Sequence, residues 1–246
     1  MQTLHTKGQL IKRIAAISAL AGCAIAAPSQ AGEWSANASM TNNYIWRGLT
    51  QTENEAAVQG GIDYASDSGF YVGTWASNVN YGPSDVYSYE HDIYAGYAFE
   101  VEGISFDVGY LYYNYDKEAN FDFGEIYASI GMGGFSVTGY VLANTEADEG
   151  PGQDFGFGST YYISADYGFA LSNGVEVGLH AGYHDGDFAE AFNGTDGGYA
   201  DYNISVSKDG FSFMITSTSV DGPAADGGYD NDEVKFVVGY SVGIDM

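Results

Sequence analysis

Basic residues are scarce in this chain: 7 Lys and Arg stand against 33 Asp and Glu, a formal net charge of −26. That balance excludes a nucleic-acid partner, because gripping a phosphate backbone takes a basic surface. Long apolar runs are missing as well. No uninterrupted stretch reaches the roughly 18 to 20 residues of a membrane-crossing helix. A membrane-spanning form of this chain must therefore be a closed β-barrel, in which each backbone group finds its partner in a neighbouring strand. The single cysteine, Cys23, excludes a disulfide framework and leaves a zinc site poorly supported. Proline numbers only 4, while Gly (35) and Tyr (22) are abundant. Disordered acidic chains are poor in aromatics, so this mixture points to a folded protein. The 246 residues give room for one large β domain or two small ones.

Residues 1–31 read as an export signal peptide. Lys7, Lys12 and Arg13 precede the apolar Ile14 to Ala27, and Ser29-Gln30-Ala31 forms a small-x-small cleavage site. The expected mature start is Gly32, with residues 32–246 forming one domain. Within the export core, Leu20-Ala21-Gly22-Cys23 is similar to a lipobox, which would leave Cys23 lipidated. The conventional site is the favoured reading, because the apolar run continues past Cys23. Either route takes the chain out of the cytoplasm. Beyond residue 31 the Lys and Arg residues are Arg47, Lys117, Lys208 and Lys235, so the processed chain is still more acidic. Such a chain gathers cations, although for most of its acids the plainer role is a solvated loop.

The stretch Val234 to Met246, VKFVVGYSVGIDM, alternates strictly. Val234, Phe236, Val238, Tyr240, Val242, Ile244 and Met246 form an apolar row opposite a largely polar one. A period of two over a dozen residues is an extended strand with one greasy face. Its length suits a bilayer-crossing barrel wall. From Glu33 onward about twelve such segments follow. Trp34, Ala36, Ala38, Met40, Tyr44 and Trp46 suggest the first, and Val58 to Tyr64 the second. Phe70 to Asn78 is the third, with faces that the pattern leaves unassigned. Tyr87 to Phe99, Ile104 to Tyr112, Ile126 to Met132 and Phe135 to Val141 are the fourth to seventh. Tyr161 to Phe169, Val175 to Tyr183, Ala200 to Val206 and a stretch opening at Phe211 precede the last.

The connections sort by length. Short links lie at 66–69, 102–103, 133–134, 172–174 and 208–210. Mostly longer, acid- and glycine-rich links lie at 47–55, 80–85, 116–122, 144–157, 185–198 and 221–232. Short turns on one rim and long loops on the other are the pattern of an outer-membrane barrel, and a soluble sandwich has no reason to follow it. Aromatic residues at both ends of the apolar rows, as in Tyr87, Tyr89, Tyr97 and Phe99, match two interfacial girdles. The expectation is a transmembrane up-and-down antiparallel all-β barrel of about 12 strands.

On the polar rows, strand parity places Asp63, Glu90, Asp92, Asp107, Glu125, Asp166, Glu176 and Asp201, against Arg47, Lys235 and His180. These eleven are the candidate pore-lining residues. An acid-rich, low-dielectric passage focuses a negative field and favours cations. The same acids could instead pair with Arg47, Lys235, tyrosine hydroxyls and one another in a plugged interior. Twelve strands lie between the eight that side chains nearly fill and the sixteen to eighteen of an open channel, so both readings stand at this point.

Enzymatic alternatives find less support. A lipase on this scaffold needs Ser, His and an acid or amide together on the lipid face. His180 and His184 share the polar row, while His91 falls on the apolar row near the girdle. Asp185-Gly186-Asp187 and Asp226 to Glu233 could hold Ca²⁺ loosely, but neither has EF-hand spacing. Gly131 to Gly134 is a turn without a following helix to offer its N-terminus to phosphate. No catalytic residue, metal or cofactor is assigned.

One block carries a specific resemblance. Ser35-Ala36-Asn37, Tyr44-Ile45-Trp46-Arg47-Gly48, Gln51-Thr52, Ala57-Val58-Gln59-Gly60-Gly61, Asp63-Tyr64 and Ser68 to Trp75 resemble the opening of the TorF-type porins, the Gcw_chp outer-membrane proteins of proteobacteria. The block covers about a fifth of the chain. The resemblance implies an outer-membrane barrel and a porin, and names no solute. The expectation is therefore a cell-outer-membrane channel for diffusion of small, preferably cationic or neutral solutes, with a plugged structural or adhesive barrel as the alternative. Its partners would be membrane lipid, lipopolysaccharide and the barrel-assembly machinery. Homo-oligomerisation is compatible with the sequence, though no extra apolar patch demands it.

Overall fold

The computed structural model describes residues 32–82, 85–220 and 231–246. The export segment with Cys23, and most of the last acidic loop, lie outside the described residues. Twelve strands close into a barrel: β1 (Glu33–Thr41), β4 (Ala57–Ala65), β5 (Phe70–Asn78), β6 (Tyr89–Val101), β7 (Ile104–Tyr115), β8 (Phe123–Met132), β9 (Phe135–Thr145), β10 (Tyr161–Ala170), β11 (Glu176–Asp185), β12 (Tyr199–Lys208), β13 (Phe211–Thr218) and β14 (Lys235–Asp245). Each pairs antiparallel with its neighbours in sequence, and β1 closes the ring against β14, from Ser35 opposite Asp245 to Thr41 opposite Gly239. Closure leaves no unpaired sheet edge, the condition for crossing lipid. Among the described residues, two further elements are not part of the wall: a small hairpin, β2 (Ile45–Trp46) and β3 (Leu49–Thr50), and a helix, α1 (Asp187–Asn193).

Alternation along each strand sets the two faces. Outward rows expose Val58, Ile62, Ile93, Val108, Ile126, Ile163, Leu179, Ile204 and Val238. Rings gather near both rims of that surface. Tyr97, Phe99 and Phe106 contact one another on the short-turn side, as do Phe211 and Tyr240, while Tyr161 meets Tyr183 nearer the long loops. An apolar band between aromatic girdles is a surface built for a bilayer. β5, unassigned from its composition, turns Phe70 and Val72 outward and buries Tyr71 and Trp75 inside.

Two expectations are corrected. The first strand does not run on to Trp46; it ends at Thr41, and Tyr44 and Trp46 are buried in the interior. The cause is Asn42. Its side-chain amide donates to the Phe236 carbonyl at 3.1 Å, and its Oδ1 accepts from Val238 N–H at 2.7 Å. A side chain thus fills two ladder positions on β14, and the main chain is free to turn inward. Tyr87 is likewise no girdle residue. β6 starts at Tyr89, and the Tyr87 ring lies edge-on to Tyr81 and to the inward-facing Tyr115. Strand parity does not extend to a residue that precedes the strand.

Candidate constriction site

The loop between β1 and β4 forms the core of the site. Ile45 pairs with Thr50 and Trp46 with Leu49, leaving Arg47-Gly48 as a two-residue turn with φ of 46° and 81°. Positive φ at both central residues is the type I′ hairpin turn, which favours Asn-Gly. Glycine is required at the second position for space as well. A Cβ on Gly48 would lie 2.5 Å from Thr218 Cγ2 and 2.6 Å from Asp201 Cβ, so the hairpin tip abuts β12 and β13 directly. The hairpin base is fixed by Tyr44, whose hydroxyl donates to Glu90 at 2.7 Å, and by Gln51, whose Oε1 accepts from Tyr81 at 2.6 Å.

Aromatic side chains pack around this insertion. Trp46 stands edge-on to Tyr113, Phe123, His184 and Phe192 at centroid distances of 5.5–6.4 Å. Phe188 and Phe192 come from α1, which lies in the loop between β11 and β12 and lowers these rings onto Phe121, Phe123 and Tyr115. The long-loop half of the interior is thereby filled. Towards the short turns a cavity of about 510 Å³ remains, lined by Asn37, Ser39, Gln59, Glu176, Ser207 and Ser241 among others.

Arg47 sits at the hairpin tip, 7% exposed. Its Nη2 donates to Glu125 Oε2 at 2.5 Å and its Nη1 lies 2.9 Å from His184 Nε2. The guanidinium carbon is 4.2 Å from the Trp46 ring centre, 4.4 Å from Tyr162 and 5.1 Å from Tyr140. Arginine only donates, so His184 Nε2 must accept, and the ring is the neutral tautomer with its proton on Nδ1. Tyr113 completes the coordination of Glu125 by donating at 3.2 Å. Beside this group a cavity of about 90 Å³ extends past Tyr140 and Tyr162 to Ser164, Asp166, His180 and Asp201.

Besides Arg47, the charged candidates read from strand parity sit on inward rows, and the structure groups most of them. His180 places Nδ1 2.7 Å from Asp166 and Nε2 2.9 Å from Asp201. Both nitrogens can donate at once only in the doubly protonated ring. Asp63 accepts from Tyr94, Asp107 from Tyr71 at 2.7 Å, and Glu90 from Tyr44 and from Tyr115 at 2.8 Å. Asp92 is fully buried on β6. Glu176 stands apart on the 510 Å³ cavity. Lys235 is also separate, donating to the Asn231 and Glu233 carbonyls. Tyrosine hydroxyls were expected as partners of the inward acids only in the plugged reading, and without individual residues. Tyr94, Tyr113, Tyr115, Tyr127, Tyr140 and Tyr162 lie opposite the apolar row of their strands, a parity signal visible in the sequence. Of the aspartates considered for calcium, Asp187 accepts from Asp154 N–H and Asp185 from Gly186 N–H.

A closed membrane barrel with an inserted first loop can be compared with known proteins. The family profile described as "Bacterial protein of unknown function (Gcw_chp)" matches residues 25–240. The chain belongs to the Gcw_chp family. Among solved structures, this Gcw_chp chain is similar to the KdgM porin at a TM-score of 0.50, with 10% identity over 85% of this chain and 97% of that one. A membrane protein from a study of in-meso crystallization aligns at a TM-score of 0.54, with 8% identity over 87% and 84% of the two chains. OprD of Pseudomonas aeruginosa aligns at 0.39, with 14% identity over 86% and 67%. No curated protein matches by sequence. At such identities the likeness is one of fold: a 12-stranded, porin-like barrel. With its apolar outer band and bacterial family, the barrel belongs in the outer membrane.

Proposed function

We propose that this barrel is an outer-membrane channel for small cationic or neutral solutes and performs no catalysis. One observation carries the reading: the inward carboxylates outnumber the inward cations, and several are held by neutral groups. Asp63, Glu90 and Asp107 are bonded to tyrosine hydroxyls, which satisfy hydrogen-bond capacity without cancelling charge. The interior therefore keeps a negative field that attracts cations and repels anions. The histidines support a channel over a wall-mounted hydrolase. His180 and His184 are inside, tied to carboxylates and to Arg47, and the outward His91 is bonded to Thr74 Oγ1 at 2.7 Å.

The filled long-loop half favours a second reading, a sealed structural barrel. On the channel reading, solutes pass when the β2–β3 hairpin tip leaves the wall. Planar-bilayer recording separates the two. The purified protein should show single-channel steps and prefer K⁺ to Cl⁻ at low salt. That preference should shrink as the screening length falls from about 30 Å at 0.01 M to about 3 Å at 1 M. A preference for Cl⁻ would refute the cation assignment. Absence of steps, both in the wild type and after shortening the 42–56 loop, would leave the sealed barrel as the answer.

A further inference from the structure

We infer that the wall pocket filled by the Arg47 side chain is a binding site for guanidinium-type organic cations, with Arg47 as its tethered occupant. The inference rests on the channel reading above and names a solute class for it. Of the groups touching the guanidinium, only Trp46 shares its hairpin. Glu125, Tyr140, Tyr162 and His184 come from β8, β9, β10 and β11, four consecutive wall strands that pair with one another without the hairpin, with one register shift at Gly124/Glu125. The pocket is therefore a property of the wall.

Its chemistry is matched to a flat cation. Glu125 supplies the counter-charge at 2.5 Å, and its acceptor oxygen is oriented by Tyr113. The neutral His184 ring supplies an aimed acceptor at 2.9 Å. Tyr162 and Tyr140 supply π faces at 4.4 and 5.1 Å. A planar, weakly hydrated guanidinium uses in-plane acceptors and stacked rings together, whereas a compact ammonium is strongly hydrated and has no plane to stack. The adjoining cavity of about 90 Å³ holds Asp166 and Asp201 at its far side, giving room and negative charge for the remainder of a small cationic solute. The turn itself gives an independent indication. A type I′ turn favours Asn at the position that Arg47 holds with φ of 46°, so turn formation does not account for an arginine there.

The test is chemical rescue. Arg47→Asn suits the turn and empties the pocket. Its thermal midpoint in detergent should fall by several degrees, and millimolar guanidinium chloride should restore at least half of the loss. KCl, methylammonium chloride and urea at equal concentration should not. Adding Glu125→Gln to Arg47→Asn should abolish the recovery. In bilayers, guanidinium should block the R47N conductance in a concentration-dependent manner and leave wild type unaffected. No recovery, or equal recovery with and without Glu125, overturns the site. If neither protein nor the loop-shortened variant conducts, the channel reading fails, while the thermal recovery still decides the site. Should R47N not assemble, Arg47→Lys is measured in the same way. Guanidinium competes there with a poorly fitting ammonium, so it should stabilise R47K and not wild type; equal shifts refute the inference.

Discussion

Removing both partners of the Arg47–Glu125 pair should destabilise the protein by clearly less than the sum of the two single removals. The pair is short, 2.5 Å, and both side chains are nearly sealed, at 5% and 3% exposure. At an effective dielectric of about 20, unit charges at that separation attract by about 7 kcal/mol. Withdrawing each ion from water costs several kcal/mol, so the intact pair contributes little net stability. A single substitution is another matter. Arg47→Asn leaves Glu125 buried with only the Tyr113 hydroxyl, and Glu125→Gln leaves the guanidinium without its counter-charge. Each should cost about 3–5 kcal/mol. The double variant carries neither stranded charge, so its cost should fall below the sum of the singles by about 2 kcal/mol or more. Urea titration in detergent, with folded and unfolded barrels separated by gel mobility, measures all four corners of the cycle. A coupling within about 0.5 kcal/mol of zero would show that the pair does not hold the hairpin.

Gly48→Ala should loosen the hairpin without preventing barrel assembly. The added methyl meets Thr218 and Asp201 at an unfavourable φ of 81°, at a cost of about 1–3 kcal/mol, and should appear as faster proteolysis within 42–56. Tags placed between Glu149 and Gln153, or between Asn193 and Gly198, should be labelled on intact cells, while a tag at Gly133-Gly134 should not. The reverse pattern would invert the barrel in the membrane.

The wall of this protein was legible because a bilayer leaves so few solutions. Outward residues in the bilayer band must be largely apolar, every second residue faces out, and twelve alternating segments with sorted loop lengths admit one architecture. The inserted loop was not legible by the same rule. Tyr44 and Trp46 continue the parity of β1, and no Pro or Gly marks its end; the strand stops because the Asn42 side chain takes over pairing with β14. Part of a turn signal was nevertheless present in Trp46-Arg47-Gly48-Leu49, where Gly48 follows one polar residue between apolar neighbours, but Arg-Gly is not one of the favoured hairpin pairs. Parity also placed the charged residues on the inner wall, but it could not bring particular atoms together. Arg47 meets Glu125 and His184 across sequence separations of 78 and 137 residues, set by how the barrel closes.

The inward tyrosines follow from the scarcity of basic residues beyond the export segment. Buried carboxylates need donors, and with few cations available the hydroxyls supply them. Several of these bonds join wall strands to one another. Tyr71 on β5 reaches Asp107 on β7 by crossing Gly96 of β6, where a Cβ would lie 2.3 Å from the hydroxyl. Tyr94 on β6 reaches Asp63 on β4. Such links stiffen the wall, because strand pairing already fixes the elements at both ends. The hairpin differs: no wall strand pairs with it, and its tip is held by side chains around Arg47 and by the close fit of Gly48. If the barrel opens, it should open there, with the tyrosine-linked wall unchanged. Cross-linking an engineered cysteine pair between hairpin tip and β12 should then abolish conductance, and reduction should restore it. A pair joining β5 to β7 should leave conductance untouched, and equal effects from both pairs would refute a gate local to the hairpin.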